Sequence, residues 1–177
     1  MVNRTLRHFG LLAAGVALAA YAGVQIESLG GAPIRSDGYS YYVYLPSWYL
    51  HHDLTLQSVA DDCCGGTFPE FTALVRWPGT HRWVNPHPIG VAILMTPFFW
   101  IAHGLTRWSN LRPDGFSLYY QQAAGLAGVA MFVAGLLALR SLLSRYFSTG
   151  VVLATLTAIA LGTNLFHYAT YDSTFSH

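Results

Sequence analysis

Residues 118–139 read LYYQQAAGLAGVAMFVAGLLAL, a run without a single charged side chain. A helix needs about 20 predominantly apolar residues to cross the hydrocarbon core of a bilayer, so this run is long enough. Gly125, Gly128 and Gly135 are small residues that permit close packing against neighbouring helices. We therefore predict a membrane-spanning helix over 118–139.

The composition of the whole chain is typical of a membrane protein. Charged residues make up 10% of the 177 residues and hydrophobic residues 53%, whereas soluble domains contain about 25% charged residues. Three further apolar segments accompany the central run, at 9–26, 89–105 and 150–168. The predicted fold class is all-α, with three to four apolar segments as polytopic membrane helices and a single transmembrane domain over 1–177.

Arginine positions predict the orientation of the chain. Arg4 and Arg7 precede the span at 9–26, which places the N-terminus in the cytoplasm and the loop 28–117 on the extracytoplasmic side. A cleaved signal peptide is the alternative for this first segment, because Ala20-Tyr21-Ala22 is similar to a signal-peptidase site.

Whether the segment 89–105 spans the membrane decides on which side the C-terminal part of the chain lies. Its length is at the lower limit for a span and it contains Pro97, so both arrangements have to be considered. If it is a juxtamembrane helix within the extracytoplasmic loop, Arg140 and Arg145 face the cytoplasm and Asp172 returns to the outer side. If it spans, Asp172 lies in the cytoplasm. The positive-inside rule favours the first arrangement.

Within the loop, the aromatic residues from Tyr41 to Leu50 predict a short amphipathic helix at the membrane interface. The segment Asp61–Gly66 is typical of a turn. Cys63 and Cys64 are adjacent, a spacing that rarely gives a relaxed disulfide or a metal site, so we predict no chemistry for them. A net charge of +1 and the lack of a glycine-rich phosphate loop argue against nucleic-acid and nucleotide partners.

Asp37 is the first candidate for chemistry. It follows the first apolar segment and is flanked by Gly38 and a run of aromatic residues. A partly desolvated carboxylate at a membrane surface is suited to take a proton from a bound hydroxyl. The alternative is an ordinary turn, because Asp-Gly is a common turn pair.

Three places in the chain resemble the N-terminal part of the GT-C membrane glycosyltransferases, the class of the protein O-mannosyltransferases and the lipid A aminoarabinose transferase. They are Asp37 with the aromatic residues 39–44, the motif Asn85-Pro86-His87-Pro88-Ile89-Gly90, and the segment 161–168 that leads to Asp172 and Ser176-His177. One departure is Gly38, because the mannosyltransferases carry an Asp-Glu pair where this chain has Asp37-Gly38.

The resemblance implies a polyprenyl-phosphate sugar as donor and sugar transfer at the extracytoplasmic face of the bacterial inner membrane. Asp37 would be the catalytic base, and the substrate-binding residues would be Tyr41, His87, Asp172 and His177. The departing phosphate needs positive charge from an arginine or a divalent cation, which Asp172 could help to hold. His167, Asp172 and His177 are evenly spaced, but the spacing matches no zinc motif.

The class is several hundred residues long, so the resemblance also implies that this chain is an N-terminal fragment. Two other functions remain open from the sequence. One is a transporter component, because polar residues near apolar segments can mark a substrate pathway. The other is a non-catalytic membrane subunit that helps to assemble a larger complex.

Overall fold

The computed structural model describes residues 2–26, 32–80 and 82–174, with the backbone alone at 2–7 and 25–26. Helix makes up 65% of the structure, which confirms the predicted helical class. The helices are α1 (Val2–Ile26), α2 (Ser36–Tyr42), α3 (Tyr44–Tyr49), α4 (Gln57–Cys64), α5 (Gly90–Trp108), α6 (Leu118–Leu143), α7 (Thr149–Gly162) and α8 (Leu165–Thr170). Between α4 and α5, strands β1 (Val75–Arg76) and β2 (Trp83–Val84) pair antiparallel.

The described residues form two compact units. The first combines residues up to 26 with 128–173, and the second combines 32–127 with Thr174. The predicted single transmembrane domain therefore contains two units. In the first unit, apolar side chains of α1, α6, α7 and α8 form the core: Ala17, Tyr21, Val129, Phe132, Leu136, Val152, Leu156, Ala160 and Ala169. The core residues on α6, and likewise those on α7, are three or four residues apart, as expected for one buried helix face.

Gly128 is the position on α6 where a glycine is required for close approach. A Cβ added there would lie 2.8 Å from the Cβ of Ser173, closer than side chains pack. A Cβ added at Gly135 would have no neighbour within 4 Å. The close approach at Gly128 is to Ser173, which follows α8 and lies outside the helices, so the helix packing predicted for these glycines stays a prediction, and no close approach is found at Gly135.

In the second unit, α5 has one buried and one exposed face, and both are apolar. The buried face carries Ala92, Met95, Phe99, Ala102 and Thr106. The exposed face carries Ile93, Leu94, Trp100, Ile101, Leu105 and Trp108, the last with 82% of its surface exposed. The outer face of α5 thus lacks the polar side chains that a helix facing water usually carries.

Among the described residues, α6 is the one helix that is both long and apolar enough to cross a membrane. The apolar part of α1, from His8 to Val24, and α7 are apolar but shorter. The predicted spans at 9–26 and 150–168 are therefore not established as spans by their helix lengths.

The predicted span 150–168 is divided into two helices. The chain leaves the helical conformation at Thr163, with φ −125° and ψ 172°. The Thr163 hydroxyl donates to the Ile159 carbonyl at 2.6 Å and accepts from the Leu165 amide at 3.2 Å. This side chain therefore takes over hydrogen bonds of the backbone, which allows α7 to end and α8 to begin.

The prediction of an amphipathic surface helix over 41–50 is wrong. These residues belong to the end of α2 and to α3, and they form the centre of the second unit. Tyr42 is 1% exposed and Val43 is fully buried. The reason is that the rings find partners within the unit, because Tyr42 packs against Phe99 at 6.2 Å and Phe116 at 5.7 Å between ring centroids.

The prediction of a turn over Asp61–Gly66 is wrong for its first part, because α4 continues to Cys64. The helix ends at Gly65, which has a left-handed φ of +64°, and the Gly66 amide donates to the Ala60 carbonyl at 2.9 Å. Asp61 supports the helix by accepting a hydrogen bond from Gln57 at 2.8 Å, four residues earlier. The two glycines make the turn.

The prediction that Cys63 and Cys64 carry no chemistry is also wrong. The two adjacent residues are joined by a disulfide bond. Both cysteines belong to the last turn of α4, which ends at Gly65.

Asp53 connects α3 to α4, and we expect its replacement by asparagine to destabilise the protein. One carboxylate oxygen accepts from the Thr55 amide at 2.8 Å, and the other accepts from the Ser58 amide at 3.1 Å and the Ser58 hydroxyl at 2.9 Å. Burial alone would raise the pKa of Asp53, but these hydrogen bonds outweigh it and lower the pKa from 3.8 to about 2.

A carboxylate whose pKa is lowered by folding stabilises the protein above its unfolded pKa, and this stability is lost as the pH falls toward the folded pKa. We expect Asp53→Asn to reduce the free energy of unfolding by about 1 kcal/mol at neutral pH, since the group is partly screened by solvent. The difference from the wild type should shrink between pH 4 and pH 2. Denaturant unfolding at several pH values measures this, with the exposed Glu70→Gln variant as control. A difference that is constant over this range would contradict the assigned hydrogen bonds.

Candidate functional site

Helix α2 places Asp37 and Tyr41 on one face. They stand at positions i and i+4, which are neighbours on a helix surface. The chain enters α2 through Ser36, whose φ of +46° is left-handed, and Asp37 follows in the first turn. Asp37 is half-buried, and its carboxylate has no hydrogen-bond or ion-pair partner within the described ranges. The predicted base is thus available to an external group.

His87 lies against Tyr41, so the structure brings together two of the predicted substrate-binding residues. Their ring centroids are 4.4 Å apart, with an angle of 62° between the planes. The His87 Nδ1 atom is buried and has no hydrogen-bond partner in the described part of the chain. We define the candidate site as the side chains of Asp37, Tyr41 and His87.

Asn85 fixes the loop that carries His87. Its Nδ2 donates to the Ser40 carbonyl on α2 at 2.7 Å, and its Oδ1 accepts from the His87 amide at 3.0 Å. The Tyr44 hydroxyl donates to the His87 carbonyl at 2.8 Å, and burial raises the pKa of this tyrosine. The sequence analysis does not assign Asn85 and Tyr44 to the site. An asparagine side chain often forms a hydrogen bond with the backbone amide two residues later, and this tendency is the signal that could have identified Asn85.

Gly38 is required because Thr174 packs directly against α2. A Cβ added at Gly38 would lie 2.9 Å from the Cβ of Thr174 and would collide with its hydroxyl oxygen. That hydroxyl donates to the Pro33 carbonyl at 2.7 Å, so it is held in place. An acidic side chain at 38, as in the mannosyltransferases, would have no room here.

We expect Gly38→Ala to destabilise the protein by about 1–3 kcal/mol, because the added methyl group overpacks a rigid contact. Gly104→Ala is the matched control, since Gly104 lies in α5 with nothing within 4 Å of an added Cβ. That change should raise stability by about 0.5–1 kcal/mol through helix propensity. Thermal unfolding of both variants measures the effect, and equal shifts in Tm would contradict the contact with Thr174.

Asp172 and His167 form a pair in the first unit. The His167 Nε2 and Asp172 Oδ2 atoms are 2.9 Å apart, with His167 on α8 and Asp172 directly after it. The ring of His167 also stacks on Tyr171, with centroids 5.2 Å apart. Asp37 belongs to the second unit, so the predicted meeting of Asp37 and Asp172 stays a prediction.

His177 lies outside the described residues, so its predicted role cannot be related to the geometry. Within the described ranges, no cluster of three or more His, Cys, Asp or Glu side chains could hold a metal ion. His167 and Asp172 therefore form a pair rather than a described metal centre.

No protein family, curated protein or solved structure matches this chain. The chemistry of the candidate site therefore has to be argued from its own groups. These are a carboxylate without a partner among the described residues, a phenol, and an imidazole on the loop that Asn85 fixes. Together they can accept a proton and form hydrogen bonds to a polar ligand.

An apolar groove begins next to this site. It has a volume of about 240 Å³ and lies between α3 and the first turns of α5. Its walls are Tyr44, Leu45, Trp48, Tyr49, Leu54, Ile89, Ala92, Ile93 and Thr96. Tyr44 connects the two features, because its ring lines the groove and its hydroxyl bonds to the His87 carbonyl. The arrangement suits a ligand with a polar head and an aliphatic tail.

Proposed function

We propose that the protein is a membrane glycosyltransferase similar to the GT-C class. It would transfer a sugar from a polyprenyl-phosphate donor to an acceptor at the extracytoplasmic face of the bacterial inner membrane. The observation that carries this proposal is the half-buried carboxylate of Asp37, which has no partner in the described part of the chain and shares a face of α2 with Tyr41 beside His87.

Asp37 is the general base in the proposed reaction and takes the proton of the acceptor hydroxyl as that oxygen attacks the sugar. Tyr41 and His87 bind the sugar or the phosphate. Positive charge for the departing phosphate comes from Arg35, which directly precedes α2, or from a divalent cation. Asp172, with His167 beside it, remains a second substrate-binding candidate.

The apolar groove supports a lipid-linked donor. The first part of an aliphatic chain can fill the groove between α3 and α5 while the polar head reaches His87 and Tyr41. Apolar walls stabilise such a chain because its surface is removed from water. A water-soluble donor would leave the groove without a function.

The apolar outer face of α5 and the length of α6 support a place in the membrane. In this proposal α6 spans the bilayer and α5 is a juxtamembrane helix. The segments 9–26 and 150–168 are the further proposed spans, with the N-terminus in the cytoplasm and the loop 28–117 outside.

A transfer assay tests the function. The protein in proteoliposomes is supplied with a radiolabelled polyprenyl-phosphate sugar and with an extract of native membranes as the source of acceptor. We expect label to move from the lipid to the acceptor, whereas the same sugar on a nucleotide should give none. Transfer from the nucleotide alone would contradict the proposal, and transport of the sugar into the vesicles without transfer would favour a transporter component.

A further inference from the structure

The disulfide between Cys63 and Cys64 touches the helix that carries Asp37. The Tyr39 hydroxyl lies 3.2 Å from the Sγ atom of Cys63 and 3.7 Å from that of Cys64. Tyr39 stands on α2 between Asp37 and Tyr41. One hydroxyl is thus shared by both sulfur atoms of the bond.

This shared contact depends on the bond. Successive side chains on an α-helix point about 100° apart, since the helix has 3.6 residues per turn. Cys63 and Cys64 both lie within α4, so free thiols at these positions would diverge. Only one of them could then remain beside the Tyr39 hydroxyl.

The bond is open to attack from solvent, because Cys63 is exposed and Cys64 is half-buried. Its surroundings are unlike those of a catalytic dithiol. Asp61 and Asp62 precede it, and it stands at the C-terminal end of α4, where the helix dipole is negative. Catalytic thiolates are found instead in electropositive surroundings such as helix N-termini. We therefore do not assign the pair to dithiol catalysis, although Asp62 is itself paired with Arg112.

Tyr39 can couple the redox state of the disulfide to α2. Its ring stacks on Phe116 with centroids 5.1 Å apart and meets the edge of Phe68 at 5.9 Å. The ring is thus held on both sides, and the hydroxyl has the sulfur atoms as its partners. Loss of one of these two partners weakens the hydrogen bonding of a buried hydroxyl, which costs free energy.

We propose that the Cys63–Cys64 disulfide is a redox-sensitive latch on α2: its reduction by a dithiol removes one of the two sulfur atoms from the Tyr39 hydroxyl and loosens the helix that carries Asp37. One thiolate of the reductant attacks the Cys63 Sγ atom and displaces the Cys64 sulfur, which takes up a proton. The second thiol of the reductant then attacks the mixed disulfide and releases Cys63. The protein gains two electrons and two protons, and the reductant becomes a disulfide. This latch goes beyond the proposed sugar transfer and does not depend on it.

Hydrogen–deuterium exchange of the α2 backbone tests the latch. The protein in detergent micelles is measured with and without dithiothreitol, and maleimide labelling counts the free thiols in each state. We expect no free thiol before reduction, two after it, and about fivefold faster exchange of the amides in α2 after it, since one hydrogen bond is lost. Free thiols before reduction, or unchanged exchange after it, would overturn the proposal.

Two tyrosine variants distinguish the loss of the Tyr39 hydrogen bond from a general increase in backbone exchange after reduction. Tyr39→Phe keeps the ring contacts and removes the hydroxyl, so its α2 should exchange faster from the start and should not respond to dithiothreitol. Tyr49→Phe is the matched control, because the hydroxyl of Tyr49 bonds to Thr96 at 3.5 Å instead. This control should respond as the wild type does. A Tyr39→Phe variant that still responds would overturn the proposal.

Discussion

Replacement of Asp37 by asparagine is expected to lower the rate of sugar transfer by about 10²–10⁴-fold, the usual contribution of a positioned general base. Asparagine has nearly the same shape as aspartate but cannot accept a proton from the acceptor hydroxyl. The effect should therefore fall on the chemical step. The proteoliposome assay measures it as a loss of kcat with little change in KM for the donor.

The same variant should fold normally. The Asp37 carboxylate has no partner in the described part of the chain, so its loss breaks no hydrogen bond there. We expect a Tm close to that of the wild type. Glu70→Gln is the matched control, an exposed acid on the same unit that should change neither activity nor Tm. Full activity in Asp37→Asn would remove the base from the proposed mechanism.

Replacement of Tyr42 by alanine is expected to have the largest effect on stability, a loss of about 3–5 kcal/mol. The ring is fully enclosed by Phe99 and Phe116, and its hydroxyl donates to the Gly115 carbonyl at 2.7 Å. Alanine would leave a cavity in the core of the second unit and an unpaired carbonyl beside it. Chemical unfolding followed by tryptophan fluorescence measures the loss.

Two further variants divide the Tyr42 effect into its parts. Tyr42→Phe keeps the ring and removes the hydrogen bond, so it should cost about 1–3 kcal/mol. Tyr146→Ala is the control, because that ring is 73% exposed, and it should cost less than about 0.5 kcal/mol. If Tyr42→Ala and Tyr146→Ala behave alike, the ring of Tyr42 is not a core residue.

The helices could be predicted from the sequence wherever apolar residues form long runs. The segment 9–26 lies within α1 and the segment 118–139 within α6, and all but the first residue of the segment 89–105 lies within α5. The division at Thr163 could not be predicted from apolar content, because it depends on one hydroxyl that bonds to the backbone on both sides. Hydropathy is an average over a window, and a single hydrogen-bonding side chain hardly changes it.

The burial of the aromatic segment 41–50 could not be predicted for a related reason. Tyrosine and tryptophan are typical both of a membrane interface and of a core in which their polar atoms find partners. The partner of the Tyr42 hydroxyl is the carbonyl of Gly115, which is far away in the sequence. Local composition cannot distinguish the two environments, since the choice is made by tertiary contacts.

The candidate site was partly predictable. Asp37, Tyr41 and His87 were identified from residue type and motif, and the contact between Tyr41 and His87 supports grouping those two. The hydrogen bonds of Asn85 and the bond between Cys63 and Cys64 were not foreseen. Both depend on where two segments meet in space, which residue types alone do not indicate.

The contact between Gly38 and Thr174 constrains how this sequence can evolve. Positions 38 and 174 share one small volume, so the combination of a side chain at 38 with Thr174 is expected to be destabilised. A side chain gained at 38 is therefore expected to be accompanied by a smaller residue at 174, so that the two positions change together.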